Sequence, residues 1–229
     1  MKFEQSDLAK FGRSPTYDYL MRLPLSAWSL LLAVVTVSGL VTYVHHANHI
    51  SNGVLAINIA MRVATIAFLI VLASATIARA RPIGKARGIE PRISALLGTM
   101  LPTAIVLFPR YELSATAEVI STVLILLGNA LSVFVLSQLG RAFSVMAEAR
   151  QLVASGIYRY LRHPLYLAEE IAVLGIYMQF WSLWTTLLLI VHGAFQVRRM
   201  NNEEKFLSEA FADYLRYRKR TKRLIPGVY

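Results

Sequence analysis

The sequence predicts an all-α fold, a polytopic membrane helix bundle of about six membrane helices that includes a C-terminal helical hairpin and ends in a cytoplasmic amphipathic helix. Three observations carry that expectation. Of 229 residues, 56% are hydrophobic and only 16% charged, against roughly 25% charged in an ordinary soluble domain, and the mean hydropathy is +0.50. Apolar runs long enough to cross a bilayer recur along the chain. Basic residues concentrate in alternate connections, as the positive-inside rule requires of a multi-pass protein.

The first 24 residues are polar and mixed in charge (Lys2, Glu4, Asp7, Lys10, Arg13, Asp18, Arg22) and contain no cleavable apolar core, so the first span acts as its own insertion signal. Four runs then read as spans: Leu25–Val44, Val54–Ala78, Ile93–Phe108 and Ala115–Leu139. The third, with Pro102 inside it, is the shortest and reads as kinked or broken. The connections His45–Gly53 and Pro109–Ser114 carry no Lys or Arg and one (Arg110), whereas Arg79–Arg92 carries five and Gly140–His163 four. The N-terminus and the second and fourth connections are therefore placed in the cytoplasm.

The fifth apolar region, Leu165–Phe195, is too long for one crossing and too short for two. A single crossing would also export residues 198–223, which hold nine Lys or Arg against four Asp or Glu. A helical hairpin broken near Gln179–Ser182 resolves both problems and leaves both termini inside. From Asn201 the chain reads as an amphipathic helix, with Phe206, Leu207, Phe211 and Tyr214 at helical spacing among Lys205, Glu209 and Asp213. The basic tail Arg216–Arg223 reads as a tether to a lipid surface.

Composition narrows function. The net charge of +11 follows from topology and anionic lipid, and no nucleic-acid partner is expected. Zero cysteines exclude disulfides, thiolate metal sites and a cysteine nucleophile. His45, His46 and His49 have metal-compatible spacing but no acidic neighbour, so no metal site is expected. No glycine-rich nucleotide loop is present, so any adenosyl cofactor must be held without a Rossmann domain. No repeat or linker divides the chain, which reads as one integral membrane domain over 1–229.

Chemistry-bearing residues gather at one bilayer edge. In Arg162-His163-Pro164, Pro suits the first position of a helix, His163 stands at its cap, and the free N–H groups there favour an anion. Interfacial anchoring is the plainer reading of the same residues. Glu169 and Glu170 follow at the entry to the apolar hairpin, where an ionisable side chain faces a cavity or a partner. Arg199 and Glu203 share a helix face, either as a solvated ion pair or as a fork for an anionic substrate beside a carboxylate for a cofactor hydroxyl or ammonium. Arg62 lies inside the second span, with Glu118 as its candidate partner.

The segment from Arg150 to Tyr229 resembles the isoprenylcysteine carboxyl methyltransferase family. The matching elements are Leu152-Val153-x-Ser155-Gly156-x-Tyr158, Arg162-His163-Pro164-x-Tyr166, Arg199-x-x-x-Glu203-Glu204 and Phe211-x-x-Tyr214. Gly140-Arg141-Ala142-Phe143-Ser144 looks like bacterial members, which implies a bacterial inner membrane. One departure is Ala168, where the family usually has Gly. The resemblance implies an S-adenosyl-L-methionine-dependent methyltransferase with a four-helix part at 1–140 and a cofactor-binding core at 141–229. It implicates Leu152, Val153, Tyr158, His163, Pro164, Tyr166 and Glu203 for the cofactor, and Arg199 for a lipophilic acceptor entering from the bilayer; Glu170 joins the acceptor side from its place at the hairpin entry. Arg199, Glu203 and His163 are the expected catalytic residues. The acceptor is a carboxylate in that family. Phospholipid or small-molecule N-methylation is the alternative, followed by an NADPH-dependent sterol-type reductase, which Pro164 and Leu165 disfavour, or a non-catalytic membrane protein.

Overall fold

The computed structural model describes residues 22–47, 50–85, 88–146 and 148–225. The polar N-terminal segment up to Met21, as well as His49, Arg87 and the tail from Pro226, lie outside the described residues.

The described chain is almost wholly helical. Helices α1 (Leu23–His45), α2 (Asn52–Ala78), α3 (Glu90–Ile105) and α4 (Ala115–Leu139) are followed by a connection, then α5 (Pro164–Gln179), α6 (Leu183–Ala210) and α7 (Tyr214–Arg220). A two-residue antiparallel pair, β1 (Gly84–Lys85) with β2 (Glu148–Ala149), ties the α2–α3 and α4–α5 connections together. Among the described residues, three helices are long and apolar enough to cross a membrane: Leu23–His45, Asn52–Ala78 and the α4 segment extended to Ala142.

The first four helices fall on the four predicted runs. The third stops at Ile105 rather than Phe108 and carries Pro102 in its last turn, where the missing N–H and the ring clash weaken the preceding turn. The fifth apolar region breaks at Phe180–Ser182, and Ser182 with Thr185 forms a reciprocal capping box that starts α6. One expectation is corrected here. No separate amphipathic helix begins at Asn201; α6 runs unbroken through it to Ala210, and only the short α7 follows.

Helix α4 packs along α5, α2 lies against both α1 and α4, and α3 packs along α6. The α4–α5 contact depends on missing side chains. A Cβ on Gly128 would lie 2.4 Å from the Ala172 backbone nitrogen and 2.7 Å from the Ala168 carbonyl oxygen, and one on Gly175 would lie 2.7 Å from the Ser121 carbonyl oxygen. Small residues let two backbones approach where apolar burial against lipid supplies no drive. The Ser121 hydroxyl donates to the Gly175 carbonyl across the contact at 2.9 Å. The Ala172 Cβ and the Ala168 carbonyl occupy the place left open by Gly128, and both alanines are buried. Gly128→Leu is expected to lower the detergent-solubilised melting temperature by about 5 °C or more, the effect of overpacking a tight contact; an unchanged melt would show that α4 and α5 do not approach this closely.

The expected Arg62–Glu118 pair does not form. The Arg62 guanidinium lies over the Tyr43 ring of α1, 5.0 Å from its centroid, while Glu118 meets Arg110 at 3.3 Å near the start of α4. A cation–π contact with the neighbouring helix takes the place of an ion pair. His46 donates to the Thr42 carbonyl at 2.8 Å, closing the end of α1.

Candidate functional site

Pro164 opens α5 and His163 is its N-cap. The chain arrives there through a 3-10 turn, Gly156–Arg159. Gly156 has φ +60, and a Cβ on it would overlap the Gln138 side chain, whose Oε1 accepts from the Ile157 N–H at 2.9 Å. Only glycine fits both constraints, so the Ser-Gly-x-Tyr motif is a backbone requirement that aims Tyr158 inward. Burial, then the nearby Glu203 charge, pushes the Tyr158 phenol well above its usual range.

The turn, the start of α5, the last turns of α6 and α7 enclose a small, open-mouthed cleft of about 110 Å³. Leu152, Val153, Tyr158, His163, Tyr166, Arg199 and Glu203 all line it. The Tyr166 hydroxyl donates to Glu203 Oε1. The Arg199 guanidinium lies over the Tyr166 ring, 4.7 Å from its centroid, with its Nε 3.7 Å from Glu203 Oε1. His163 stands edge-on to Tyr166, with Nδ1 3.8 Å from Glu203 Oε2. Arg199 is 5% exposed. It donates to Thr99 of α3 at 3.3 Å, while its Nε has no hydrogen-bond partner. A buried guanidinium with an unspent donor is a ready partner for a carboxylate.

Pro164 and Glu170 stand apart from this cleft. Pro164 is buried at the start of α5. Glu170 lies further along that helix, where it accepts from His192 Nε2 at 2.7 Å and from the Gln196 side-chain amide at 3.1 Å.

Several participants were missed from sequence. Glu204 is a buried hub: Oε1 takes Arg162 Nε at 3.0 Å, His163 Nε2 at 3.1 Å and Arg223 Nε at 3.3 Å, and Oε2 takes Arg218 Nε at 3.4 Å. Burial alone would raise its carboxyl, but the His163 hydrogen bond and the charges of His163, Arg162 and Arg223 hold it at about 2. The same region ties down the tail. Arg162 N–H donates to the Lys222 carbonyl, His163 N–H to the Arg223 carbonyl, and the Tyr217 hydroxyl to the Tyr158 carbonyl at 2.7 Å. Helix α3 contributes Thr99, and Gly98 packs against Gln196 and Arg199. At the start of α3, Glu90 accepts from Arg198 at 2.7 Å and from Asn202. For His192 and Gln196 the signal was present: with Arg199 and Glu203 they step by four, three and four along one helix face.

The cleft chemistry fits an adenosyl cofactor: aliphatic walls for a base, carboxylates for hydroxyl or ammonium groups, and an unspent guanidinium beside them. Residues 116–214 match the family model described as phospholipid methyltransferase. The chain is also 37% identical over 109 residues to a protein-S-isoprenylcysteine O-methyltransferase of Schizosaccharomyces pombe, a match over 44% of this chain and 46% of that protein. The C-terminal half is therefore similar to membrane methyltransferases of the isoprenylcysteine carboxyl and phospholipid type. A second relative, cobalt-zinc-cadmium resistance protein CzcN of Cupriavidus metallidurans, is 33% identical over 78 residues, 34% of this chain and 36% of that protein. The chain thus matches less than half the length of these curated relatives. The methyltransferase-like half as matched begins within α4, upstream of the motifs, which agrees with the close α4–α5 contact.

Proposed function

We propose that this protein is an integral membrane methyltransferase that moves a methyl group from S-adenosyl-L-methionine to a lipophilic acceptor at the bilayer edge. The observation that carries this reading is the convergence of residues 152–166 with Arg199 and Glu203 on one cleft, in a chain with apolar helices of spanning length.

The cofactor supplies an electrophilic methyl carbon on a sulfonium. In-line transfer then asks the protein for alignment and shielding more than for acid–base work. In this reading Leu152, Val153 and Tyr158 cover the adenosyl part, and His163, Tyr166 and Glu203 hold the polar end, with Pro164 fixing where α5 begins. Arg199 grips the acceptor. The acceptor is a carboxylate, as in isoprenylcysteine carboxyl methylation, which arrives with its lone pairs free and needs no base. Glu170 meets the acceptor's remaining polar groups on the membrane side. The core at 141–229 leans on α4, the last helix of the 1–140 part, within one domain over 1–229.

In this reading α1 to α6 are the membrane helices, with α5 and α6 as a hairpin, the last turns of α6 running on into the cytoplasm and both termini cytoplasmic, in a bacterial inner membrane. Two contacts support the alternation. Ala80 N–H donates to the Arg141 carbonyl, joining the two Arg-rich connections at one end. Tyr111 N–H donates to the Gln179 carbonyl, joining the third connection to the α5–α6 turn.

Titration calorimetry of the purified protein with S-adenosylhomocysteine, with NADPH alongside, tests the proposal. Binding of the former alone is expected. Binding of NADPH alone would make the protein a reductase. His163→Ala and Glu203→Ala are each expected to weaken the S-adenosylhomocysteine affinity by about tenfold or more, the loss of a charge-assisted hydrogen bond; unchanged affinities would remove both residues from the cofactor site.

A further inference from the structure

Behind the cleft, at the C-terminal end of α6, lies a second and open groove lined by Arg162, Asn201, Lys205, Ser208, Arg218 and Arg223, with Glu204 and Glu209 as its carboxylates. Four cationic side chains therefore face two acidic ones. Glu204 already serves three of those cations and His163 as well. One buried negative charge cannot neutralise so many neighbours, and the groove is left with a positive surplus on an open face. Arg218, half exposed beside Glu204, and the exposed Lys205 are the cations placed to meet the oxygens of a phosphate there.

The surroundings decide which phosphate. Tyr160, Leu215 and Ile225 are 65%, 55% and 50% exposed, and they stand in the sequence among Arg159, Arg216, Lys219 and Lys222. Apolar side chains interleaved with cations belong at a headgroup boundary rather than in free water.

We propose that this groove binds the phosphate of an anionic lipid headgroup, with Tyr160, Leu215 and Ile225 resting on the acyl boundary beside it. The bound charge lies across Arg162 and Glu204 from His163, which lines the cofactor cleft. It therefore favours a cationic ligand in the cleft over a neutral one of the same shape. That coupling rests on the methyltransferase reading; the lipid site does not.

Native mass spectrometry of the protein from nanodiscs of phosphatidylcholine with graded phosphatidylglycerol is the test. A retained phosphatidylglycerol is expected, with apparent affinity reduced about tenfold in Lys205→Gln/Arg218→Gln, the loss expected for charge-assisted contacts. Removing two cations elsewhere, in Arg92→Gln/Arg110→Gln, leaves it at the wild-type value. Equal loss in the two double variants, or no preference for phosphatidylglycerol, overturns the site. Displacement of the lipid by millimolar inorganic phosphate, with phosphate alone retained in neutral discs, overturns the assignment to a lipid. In the same discs, phosphatidylglycerol raises affinity for cationic S-adenosylmethionine about two- to fivefold over that for S-adenosylhomocysteine, as a screened charge would. Lipid retention with no binding of either adenosyl ligand would sink the methyltransferase reading and leave the lipid site standing.

Discussion

Arg199→Ala is expected to cut methyl transfer by about a hundredfold or more, the scale of losing a positioned charge, while S-adenosylhomocysteine affinity stays within about threefold of wild type. The guanidinium is buried, is held by Thr99 from one side and the Tyr166 ring from another, and keeps its Nε unspent. Tyr166 keeps its own hydrogen bond to Glu203 without the guanidinium, so the loss should fall chiefly on the acceptor. Arg199→Lys separates charge from shape. It keeps the cation near Glu203 but loses the planar fork, and activity should stay closer to the alanine variant than to wild type. Wild-type turnover in both variants would remove Arg199 from the reaction. A parallel loss of cofactor affinity would place it on the cofactor instead.

Glu204→Gln carries the largest expected cost in stability. It removes the one carboxylate that Arg162, His163, Arg218 and Arg223 share, and breaking a buried pair from one side costs about 3–5 kcal/mol. The pH dependence has a definite sign. Its carboxyl is held at about 2 in the folded protein, below the unfolded carboxylate value, so its contribution is complete above the ordinary carboxylate range and fades as pH falls towards 2. Melting temperatures measured from neutral to acid pH should show an acid limb in the wild type that is much reduced in Glu204→Gln. Superimposable acid limbs would mean that the Glu204 hub does not hold this end of the molecule. Cofactor affinity should fall as well, because the same carboxylate fixes the His163 ring through Nε2.

The helices were legible because apolar runs and charge alternation are local and strong. The break at Phe180–Ser182 was legible from length and tail charge together, since Leu165–Phe195 fits neither one crossing nor two and a single crossing would export the basic tail. The residues that line the cleft were legible through the order and spacing of their motifs. What stayed hidden came from contacts between distant residues, which leave no period in the sequence. Thr99 and Glu90 reach α6 across about a hundred positions, so the part played by α3 could not be read. Glu204 stood beside Glu203 in the motif, yet its role depends on Arg218 and Arg223 folding back. Arg62 was paired with the wrong partner because sequence offers a carboxylate as the default and gives no hint that Tyr43 lies one helix away.

The continuity of α6 makes the site a lever. Its 28 residues form a rod of about 42 Å, with Leu183 at one end and Glu203 and Glu204 near the other. No proline or glycine pair divides the stretch between His192 and Glu203, so no hinge isolates the two ends. Pivoted at its middle, a tilt of about 5° carries each end by about 2 Å, which is more than an aligned displacement tolerates. Helices answer a change in bilayer thickness by tilting. With α6 in the bilayer, as proposed above, the thickness of the surrounding lipid would be mechanically geared to the distance between Arg199 and whatever reacts beside it.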